Sequence, residues 1–419
     1  MDASNNPSRQ TKTKREAAEL SRRAEHVVPE GELERRLAEG GPLRVKFGVD
    51  PTARDITLGW AVPLRKLRAF QDHGHTAVLI VGDFTARIGD PSGRSETRPQ
   101  LSVDEVRGNA EACVAQLLQI LSPDDLEVRY NSEWLEPLDV GGILRLTSHY
   151  TVAQMLERDD FSKRFAGGQP ISITEFLYPL LQGYDSVAVK ADIELGGTDQ
   201  LFNLLVARDL QRAFGQRPQV AMTMPLLVGL DGASKMSQSL GNYVGIEEAP
   251  EEMFGKLMSL PDSLVGAYAN LAGDLDDDRV SELEAAAVRG GPPAGQAKRT
   301  MAGAIVALYH GIESARRAEA AFDRQFVRRE APEGIPEVQM PAGAIRDGRA
   351  YLPLVLVALG LASSRSDARR LIDGGGVRVD GRAVTEEEVD ASFMLGITLQ
   401  VGKRRFVKIS AAEAPRPVD

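Results

Sequence analysis

The stretch VKFGVDPTARDITLGWAVPL, residues 45–64, decides the fold of this chain. Its first five residues predict a short buried strand, Asp50-Pro51-Thr52 predicts a turn, and an amphipathic helix follows. The helix carries its apolar residues on one face, at Val62, Leu64, Leu67 and Phe70. This arrangement is a candidate phosphate site, because free backbone N–H groups and the helix dipole both favour an anion at a helix N-terminus. Gly59 would let a ligand lie against the helix backbone.

The length and composition indicate an ordinary globular protein of several domains. A chain of 419 residues has room for about two to four domains. No apolar run approaches the roughly 18 residues that a membrane span needs, and the N-terminus lacks the apolar core of a signal peptide. Cys113 is the only cysteine, which excludes an intramolecular disulfide and a multi-cysteine metal site. We expect a cytoplasmic protein with no resident metal and no membrane partner.

Strands and helices alternate through the first half of the chain. Buried strands are predicted at Thr76–Val81, Leu126–Tyr130 and Val187–Leu195, with helical segments between them. The segment from Ile171 to Ser186 reads as a helix. This alternation predicts an α/β fold with a largely parallel, doubly wound sheet. After residue 249 the pattern is almost wholly helical to about residue 329.

The C-terminal segment has a different character, because it combines a short helix, a hairpin and many arginines. Ser364 is placed to cap a helix, and Asp380-Gly381 predicts a type I′ turn between two strands. The net charge of −10 argues against a protein that coats nucleic acid nonspecifically, but a local basic surface suits an RNA backbone. The candidate RNA-binding residues are Arg365, Arg369, Arg370, Arg378 and Arg382.

Four motifs converge on one family. They are the DPT turn with Gly59, the loop GDPSGR at 89–94, the pair YPLLQGYD at 178–185 and GGTDQ at 196–200, and the loop KMSQS at 235–239. Together they resemble the bacterial tyrosyl-tRNA synthetases, in the branch that ends in an S4-like RNA-binding domain. The resemblance implies a class I synthetase, a homodimer that activates tyrosine with ATP and transfers it to tRNA.

The same resemblance predicts the domain organisation. It implies a Rossmann-like catalytic domain, a helical domain and a C-terminal S4-like α+β domain. The expected boundaries are a helical N-terminal extension at 1–40, the catalytic domain at 41–245 with a connective insertion at about 125–185, a helical anticodon-side domain at 246–330, a linker at 331–345 and the S4-like domain at 346–419.

The family's amino-acid pocket is kept in this sequence. By resemblance, Tyr178, Gln182 and Asp90 hold the α-ammonium of tyrosine, and Asp185 accepts a hydrogen bond from its hydroxyl group. Residues 178, 182 and 185 fall on one face of the predicted helix, since their spacings are four and three. A buried acceptor that phenylalanine leaves unpaired can discriminate by roughly 10⁴–10⁵.

The remaining pocket residues are implied by the resemblance alone. Gln200 is expected near the substrate carboxylate, and Lys46 stands where many members place a tyrosine over the phenol. The ATP-binding set is Gly48, Asp50, Gly59, Gly197, Asp199 and Lys235, and magnesium is expected to arrive with ATP. The catalytic set is Thr52, Thr57, Trp60, Arg94, Arg98, Lys235, Ser237, Gln238 and Ser239.

The nucleotide motifs depart from the family pattern at named positions. The two histidines of the HIGH-type signature are replaced by Thr57 and Trp60, and a third histidine by Thr174. The second lysine of the KMSKS-type loop is Gln238. Removing one preorganised donor costs about 10²–10³ in rate, so the departures bear directly on adenylation.

Three hypotheses follow. The first is a working tyrosine–tRNA ligase with a modified ATP site. The second is a repurposed paralogue that binds tyrosine or a related amino acid, and RNA, with weak or absent adenylation. The third is an RNA-binding S4 protein on an inert α/β scaffold. Tyrosine-dependent exchange of pyrophosphate into ATP separates the first two.

Overall fold

The computed structural model describes residues 7–52, 54–90, 102–327, 335–394, 396–402 and 405–410. The chain divides into two compact units, Met1–Ala315 and Arg316–Asp419. Among the helices of the described ranges, none combines the length and the apolar character that crossing a bilayer requires.

The elements up to residue 327 alternate between strands and helices before becoming wholly helical. In chain order they are α1 (Pro7–Ser21), β1 (His26–Val28), α2 (Glu32–Glu39), β2 (Arg44–Val49), α3 (Leu58–Asp72), β3 (Thr76–Val81), α4 (Val103–Leu117), β4 (Leu126–Tyr130), α5 (Ser132–Leu135), α6 (Val140–Thr147), α7 (Val152–Met155), α8 (Asp159–Ala166), α9 (Ile173–Val189), β5 (Ile193–Gly197), α10 (Leu201–Ala213), β6 (Val220–Met224), α11 (Pro250–Met258), α12 (Val265–Leu271), α13 (Asp277–Val288), α14 (Gly291–His310) and α15 (Ile312–Phe322).

One sheet organises the first unit. Its strand order is β1-β6-β5-β2-β3-β4, and all neighbours from β6 to β4 are parallel. Val45 of β2 lies opposite Ala77 of β3 on one side and Ile193 of β5 on the other. The chain therefore winds outward from β2 in both directions, which confirms the predicted doubly wound α/β fold. It also places a topological switch point between β2 and β5, where ligands bind at the carboxyl ends of the strands.

Residues 44–72 form the strand β2, a turn and the helix α3, as predicted. The predicted apolar face of α3 is buried, with Leu64, Leu67 and Phe70 fully inaccessible to solvent. Thr57 is the N-cap of α3, and its side chain accepts a hydrogen bond from the Trp60 N–H. Capping satisfies one of the N–H groups that a helix start leaves without an intrahelical partner.

One prediction of secondary structure was wrong. Residues 187–189 lie in the last turn of α9, although the β-branched Val187 and Val189 favour a strand. These two valines are buried, and such packing overrides local propensity. The N-terminal extension contains the helices α1 and α2 and one short strand, in which His26–Val28 pair antiparallel with residues 221–223 of β6.

Two predicted boundaries also differ from the structure. The connective insertion was expected from about residue 125, yet Leu126–Tyr130 form the edge strand β4 of the central sheet. The linker expected at 331–345 contains a strand at Glu337–Gln339, which pairs parallel with residues 408–410. In each case a short strand is the edge strand of a sheet whose other strands come from other parts of the chain.

From residue 335 onward, the described residues of the second unit form two short α-helices and two small sheets. Its strands and helices are β7 (Glu337–Gln339), β8 (Ile345–Arg346), β9 (Arg349–Tyr351), α16 (Leu352–Ala358), α17 (Arg365–Asp373), β10 (Val377–Val379), β11 (Arg382–Ala383), β12 (Glu388–Asp390), β13 (Thr398–Val401) and β14 (Arg405–Ser410). Ser364 caps α17, and Asp380 and Gly381 have φ values of 44° and 79° between β10 and β11. The predicted cap and type I′ turn are confirmed.

Candidate active site

A cavity of about 580 Å³ opens at the carboxyl ends of the parallel strands. Residues at or just after the ends of four strands line it: Val49 and Asp50 after β2, Gly82 after β3, Gly197 of β5 and Met224 of β6. This is the switch-point crevice that the strand order defines. Most of the residues predicted for tyrosine and ATP line this one cavity.

Asp50 is held by two hydroxyl groups. Tyr178 donates to one carboxylate oxygen at 2.8 Å, and Thr85 donates to the other at 2.7 Å. Burial, together with the negative charge of Asp50, raises the pKa of Tyr178 well above its ordinary value, so the phenol remains a donor. A Cβ atom at Gly82 would lie 2.0 Å from the Asp50 carboxylate. Only glycine therefore allows Asp50 to occupy this position.

Asp185 lies at a buried end of the cavity. It accepts hydrogen bonds from the indole N–H of Trp134 at 2.8 Å and from the side-chain amide of Asn131 at 3.4 Å. Burial raises the pKa of Asp185 to about 7, against the opposing effect of Lys46 and the two donors. The group therefore titrates near neutral pH and is placed to bond a polar atom of a bound ligand.

Two glutamines and a carboxylate form the next part of the wall. Gln200 donates to Asp90 at 2.8 Å, and Gln182 donates to Glu194 at 3.2 Å. Asn203 donates to the side-chain oxygens of both glutamines, at 3.0 Å each. Gln182, Asp90 and Gln200 all line the cavity, as predicted.

Lys46 does not line the cavity, in contrast to the prediction. Its side chain is completely buried, and its ammonium donates to Glu194 at 2.9 Å, to Ser186 at 2.8 Å and to the Gln182 backbone oxygen at 3.0 Å. Successive side chains of a strand point to opposite faces, and it is the neighbour Phe47 that reaches the cavity. Lys46 therefore belongs to the layer that supports the pocket.

The N-terminus of α3 is not the open anion site that the sequence predicted. The backbone N–H groups of its first residues are engaged: Leu58 donates to the Val244 oxygen at 2.9 Å, and Gly59 donates to the sulfur of Met236 at 3.2 Å. Thr57 is 1% exposed and acts as the cap, so it does not line the cavity. Trp60 does line it, with its ring edge-on to Phe47 at 6.4 Å between centroids.

The KMSQS loop forms the outer wall of the cavity. Lys235 pairs with Asp199 at 2.7 Å, and the Lys235 side chain is 40% exposed. Ser237 and Ser239 share a hydrogen bond of 2.9 Å, and Gln238 donates to the backbone oxygen of Asp55. Five more predicted residues line the same space: Gly48, Thr52, Gly59, Gly197 and Asp199. Arg94 and Arg98 lie outside the described residues.

The arginines predicted for RNA lie in the second unit. Arg365, Arg369, Arg370 and Arg382 are exposed, and Arg378 is half-buried. Arg369 donates to the Tyr351 hydroxyl at 2.7 Å and pairs with Glu387 at 3.2 Å, while Arg370 pairs with Asp367 at 3.2 Å. Their alkyl stems and charges remain at the surface of this unit.

Sequence reasoning missed five residues that hold the pocket in place: Thr85, which lines the cavity, and Asn131, Trp134, Glu194 and Asn203 behind its wall. A signal was present for Thr85 and Asn131, because each follows a parallel strand closely and the carboxyl ends of such strands meet at one edge of the sheet. Cys113 is buried, and burial raises the pKa of its thiol to about 11.

Comparisons with known proteins agree on one family. The family model described as "tRNA synthetases class I (W and Y)" matches residues 38–327, and the family model of the S4 domain matches residues 352–392. The tyrosine–tRNA ligase of Moorella thermoacetica is 48% identical over 394 residues, covering 93% of this chain and 94% of that protein. The ligase of Symbiobacterium thermophilum is 50% identical, covering 90% and 92%.

Solved structures with the same fold are more distant in sequence. The C-terminally truncated mitochondrial tyrosyl-tRNA synthetase of Aspergillus nidulans gives a TM-score of 0.61 at 20% identity, covering 76% of this chain and 98% of that one. The tyrosyl-tRNA synthetase of Archaeoglobus fulgidus, complexed with L-tyrosine, gives 0.58 at 21% identity, covering 73% and 99%.

Proposed function

The chain belongs to the class I tRNA synthetases, among the tyrosine–tRNA ligases, and from this premise we propose how its cavity activates tyrosine with ATP for transfer to tRNA. The observation that carries the proposal is that Tyr178, Gln182 and Asp185, from one stripe of α9, line the same cavity as Asp90. These three polar side chains are held by hydrogen bonds within the protein, and their remaining acceptor positions suit the ammonium and hydroxyl donors of an amino acid with a phenol.

In this proposal the α-ammonium group of tyrosine lies among acceptors and the phenol lies at Asp185. Asp90, Gln182 and the Tyr178 hydroxyl oxygen receive the ammonium group. Asp185, fixed by the Trp134 and Asn131 donors, accepts the tyrosine hydroxyl. Phenylalanine would leave this buried carboxyl without its third partner, which is the basis of discrimination.

ATP occupies the outer part of the cavity, between the glycines at the strand ends and the KMSQS loop. Gly48, Asp50, Thr52, Gly59, Gly197 and Asp199 would line the adenylate. A carboxylate oxygen of tyrosine forms a bond to the α-phosphorus, while the bond from that phosphorus to the leaving pyrophosphate breaks. Lys235, released from Asp199, would neutralise charge that develops on the phosphates.

Magnesium and the remaining catalytic residues stay predictions. Magnesium would arrive with ATP and be held mainly by phosphate oxygens and water. Arg94 and Arg98 are proposed to face pyrophosphate, as are Ser237, Gln238 and Ser239 of the loop. The roles of Thr57 and Trp60 differ: Thr57 caps α3, while Trp60 offers an aromatic wall beside the nucleotide.

A homodimer and a tRNA surface complete the proposal. Between β4 and β5, five large apolar side chains are from 62% to 79% exposed: Val140, Leu144, Val152, Phe165 and Ile173. Exposed apolar groups of this number support a partner that covers them, and we propose a second copy of the chain. The exposed arginines of the second unit support binding of the tRNA backbone. The cytoplasmic location also stays a prediction.

Tyrosine-dependent exchange of labelled pyrophosphate into ATP tests the function. The full-length protein with ATP, magnesium and tyrosine should show exchange, and phenylalanine at the same concentration should not support it. No exchange at high enzyme concentration would contradict the ligase and revive the repurposed paralogue, which relatives of 48–50% identity do not favour. The inert-scaffold hypothesis is not favoured, because the synthetase model matches residues 38–327.

A further inference from the structure

Three side-chain amides are hydrogen-bonded in a row at the tyrosine end of the cavity, and we call Gln182, Asn203 and Gln200 the amide relay. Asn203 stands at its centre, fully buried in α10, and contacts both glutamines. A side-chain amide has a carbonyl oxygen that accepts hydrogen bonds and an NH₂ group that donates them. Which side each amide turns toward the cavity decides whether the wall attracts or repels an ammonium group.

The first end of the relay is fixed by an anion. Glu194 is 1% exposed and receives hydrogen bonds from Lys46, Ser186 and Gln219. An ionised carboxylate only accepts hydrogen bonds, so the side of Gln182 that faces Glu194 at 3.2 Å is its NH₂ group. The carbonyl oxygen of Gln182 must then point toward Asn203 and the cavity.

The second end is fixed by a cation. Arg158 is 6% exposed, is held by Asp160 at 2.6 Å, and lies 3.8 Å above the Phe161 ring. A guanidinium only donates hydrogen bonds, so the side of Asn203 that faces Arg158 at 3.4 Å is its oxygen. Its NH₂ group is thereby turned to the oxygens of Gln182 and Gln200.

Because Glu194 fixes Gln182 and Arg158 fixes Asn203, all three amides have only one consistent orientation. Gln200 presents its oxygen to Asn203, and therefore its NH₂ group to Asp90, which it contacts at 2.8 Å. The carbonyl oxygen of Gln182 has a second lone pair beside the cavity. A reversed Gln182 would instead direct N–H groups at an incoming ammonium.

We propose that Asn203 is a positioning residue, which, with Glu194 and Arg158 as fixed ends, keeps the amino-group subsite of the cavity lined by acceptors. The inference rests on the proposed function, in which Gln182 and Asp90 receive the α-ammonium of tyrosine. Asn203 itself lies behind the wall and acts through the two glutamines.

The test compares two ligands that differ only in the amino group. Asn203→Asp keeps the shape and the contact with Arg158 but removes the two donated hydrogen bonds. We expect calorimetry to show tyrosine binding weakened by roughly 10- to 100-fold, the range for a hydrogen bond to a charged group. Binding of 3-(4-hydroxyphenyl)propanoate, which lacks the amino group and keeps only the carboxylate contact expected of Gln200, should weaken less than that of tyrosine, since this ligand places no ammonium group against the Gln182 oxygen or Asp90.

The control and the second variant separate positioning from general damage. Gln71→Glu makes the same change at a buried amide that donates two hydrogen bonds at 3.0 Å, to the Ser122 and Asp124 oxygens, but does not line the cavity. It should leave the ratio of the two affinities unchanged. If Asn203→Asp does not fold, Asn203→Ser, which donates one hydrogen bond, should show the same selectivity to a smaller degree.

The outcomes distinguish this inference from the proposed function. Equal losses for both ligands in the Asn203 variants, or no loss for tyrosine, would overturn the positioning role. Failure of the wild-type protein to bind tyrosine would instead overturn the proposed function. A selective loss for tyrosine, with unchanged KM for ATP in the exchange assay, supports the relay.

Discussion

A lysine–carboxylate pair lies at each end of the cavity, behind the wall at one end and in the wall at the other, and the pairs differ mainly in burial. Lys46 and Glu194, at the amino-acid end, are 2.9 Å apart and 0% and 1% exposed. Lys235 and Asp199, at the nucleotide end, are 2.7 Å apart and 40% and 21% exposed. The two nitrogen–oxygen distances are nearly the same, but the two pairs differ in how far water reaches them.

A buried pair and an exposed pair have different energetic consequences. Removing one partner of a buried pair leaves a charge without water or counter-ion, whereas an exposed pair is worth little because water replaces the partner. The amino-acid end is therefore fixed before any ligand arrives. At the nucleotide end the lysine can leave Asp199 for a phosphate at small cost. In the proposed function, one cavity therefore combines a rigid specificity pocket with an adaptable reaction site.

The largest expected effect is a loss of amino-acid selectivity when Asp185, at the rigid end of the cavity, is replaced. Asp185→Ala removes the buried acceptor for the tyrosine hydroxyl, so the preference for tyrosine over phenylalanine should fall from roughly 10⁴–10⁵ to near unity. The ratio of kcat/KM values in pyrophosphate exchange, with calorimetric affinities for both amino acids, measures it. Asp209→Ala, at the exposed carboxylate that accepts a hydrogen bond from Tyr150, is the control and should keep the preference. An unchanged preference in Asp185→Ala would refute the assigned role.

The second effect compares the same substitution at the two lysines. Lys46→Met leaves Glu194 buried without its cation, and the free energy of unfolding of the first unit should fall by about 3–5 kcal/mol. Chemical denaturation followed by tryptophan fluorescence measures the change, because both tryptophans lie in this unit.

Lys235→Met is the matched control for stability. It should lower the free energy of unfolding by less than about 1 kcal/mol, because its pair is partly exposed. It should instead slow pyrophosphate exchange by roughly 10²–10³, since a preorganised cation is lost from the reaction site. Equal destabilisation by the two variants would remove the distinction between the ends.

The smallest effect is a pH dependence of the free energy of unfolding, which we attribute to Asp185 at the rigid end. Burial raises the pKa of Asp185 from 3.8 to about 7, so between those values the folded protein binds a proton that the unfolded chain has released. The free energy of unfolding contributed by this group therefore falls as pH rises through that window, by up to about 1.4 kcal/mol per pH unit, and is constant above it. Asp185→Asn should remove this slope, which denaturation at pH 5, 6 and 7 would reveal. Parallel pH profiles for the two proteins would contradict the prediction.

Local sequence patterns predicted the parts of the site that depend on one element. The spacing of Tyr178, Gln182 and Asp185 placed them on one face of α9, and all three line the cavity. The strand, turn and helix at residues 44–72 were likewise predictable from periodicity and capping. These features need no knowledge of what packs against them.

The features that sequence did not predict depend on contacts between distant segments. The strand His26–Val28 exists because β6 offers it a free edge, and the N–H groups of α3 are engaged because Met236 and Val244 approach them. Lys46 was assigned to the cavity by analogy, but its partner Glu194 lies nearly 150 positions away in the sequence. Such pairings follow from tertiary packing, which a single sequence does not display.

The short strand β1 has a consequence for the behaviour of the protein at high concentration. A parallel sheet with an uncovered edge is a template on which other chains can add strands, and this leads to aggregation. Here residues 26–28 occupy the outer hydrogen-bonding groups of β6 at Ala221, Met222 and Thr223. The edge that remains on this side of the sheet is β1 itself, and its three residues offer another chain little to pair with.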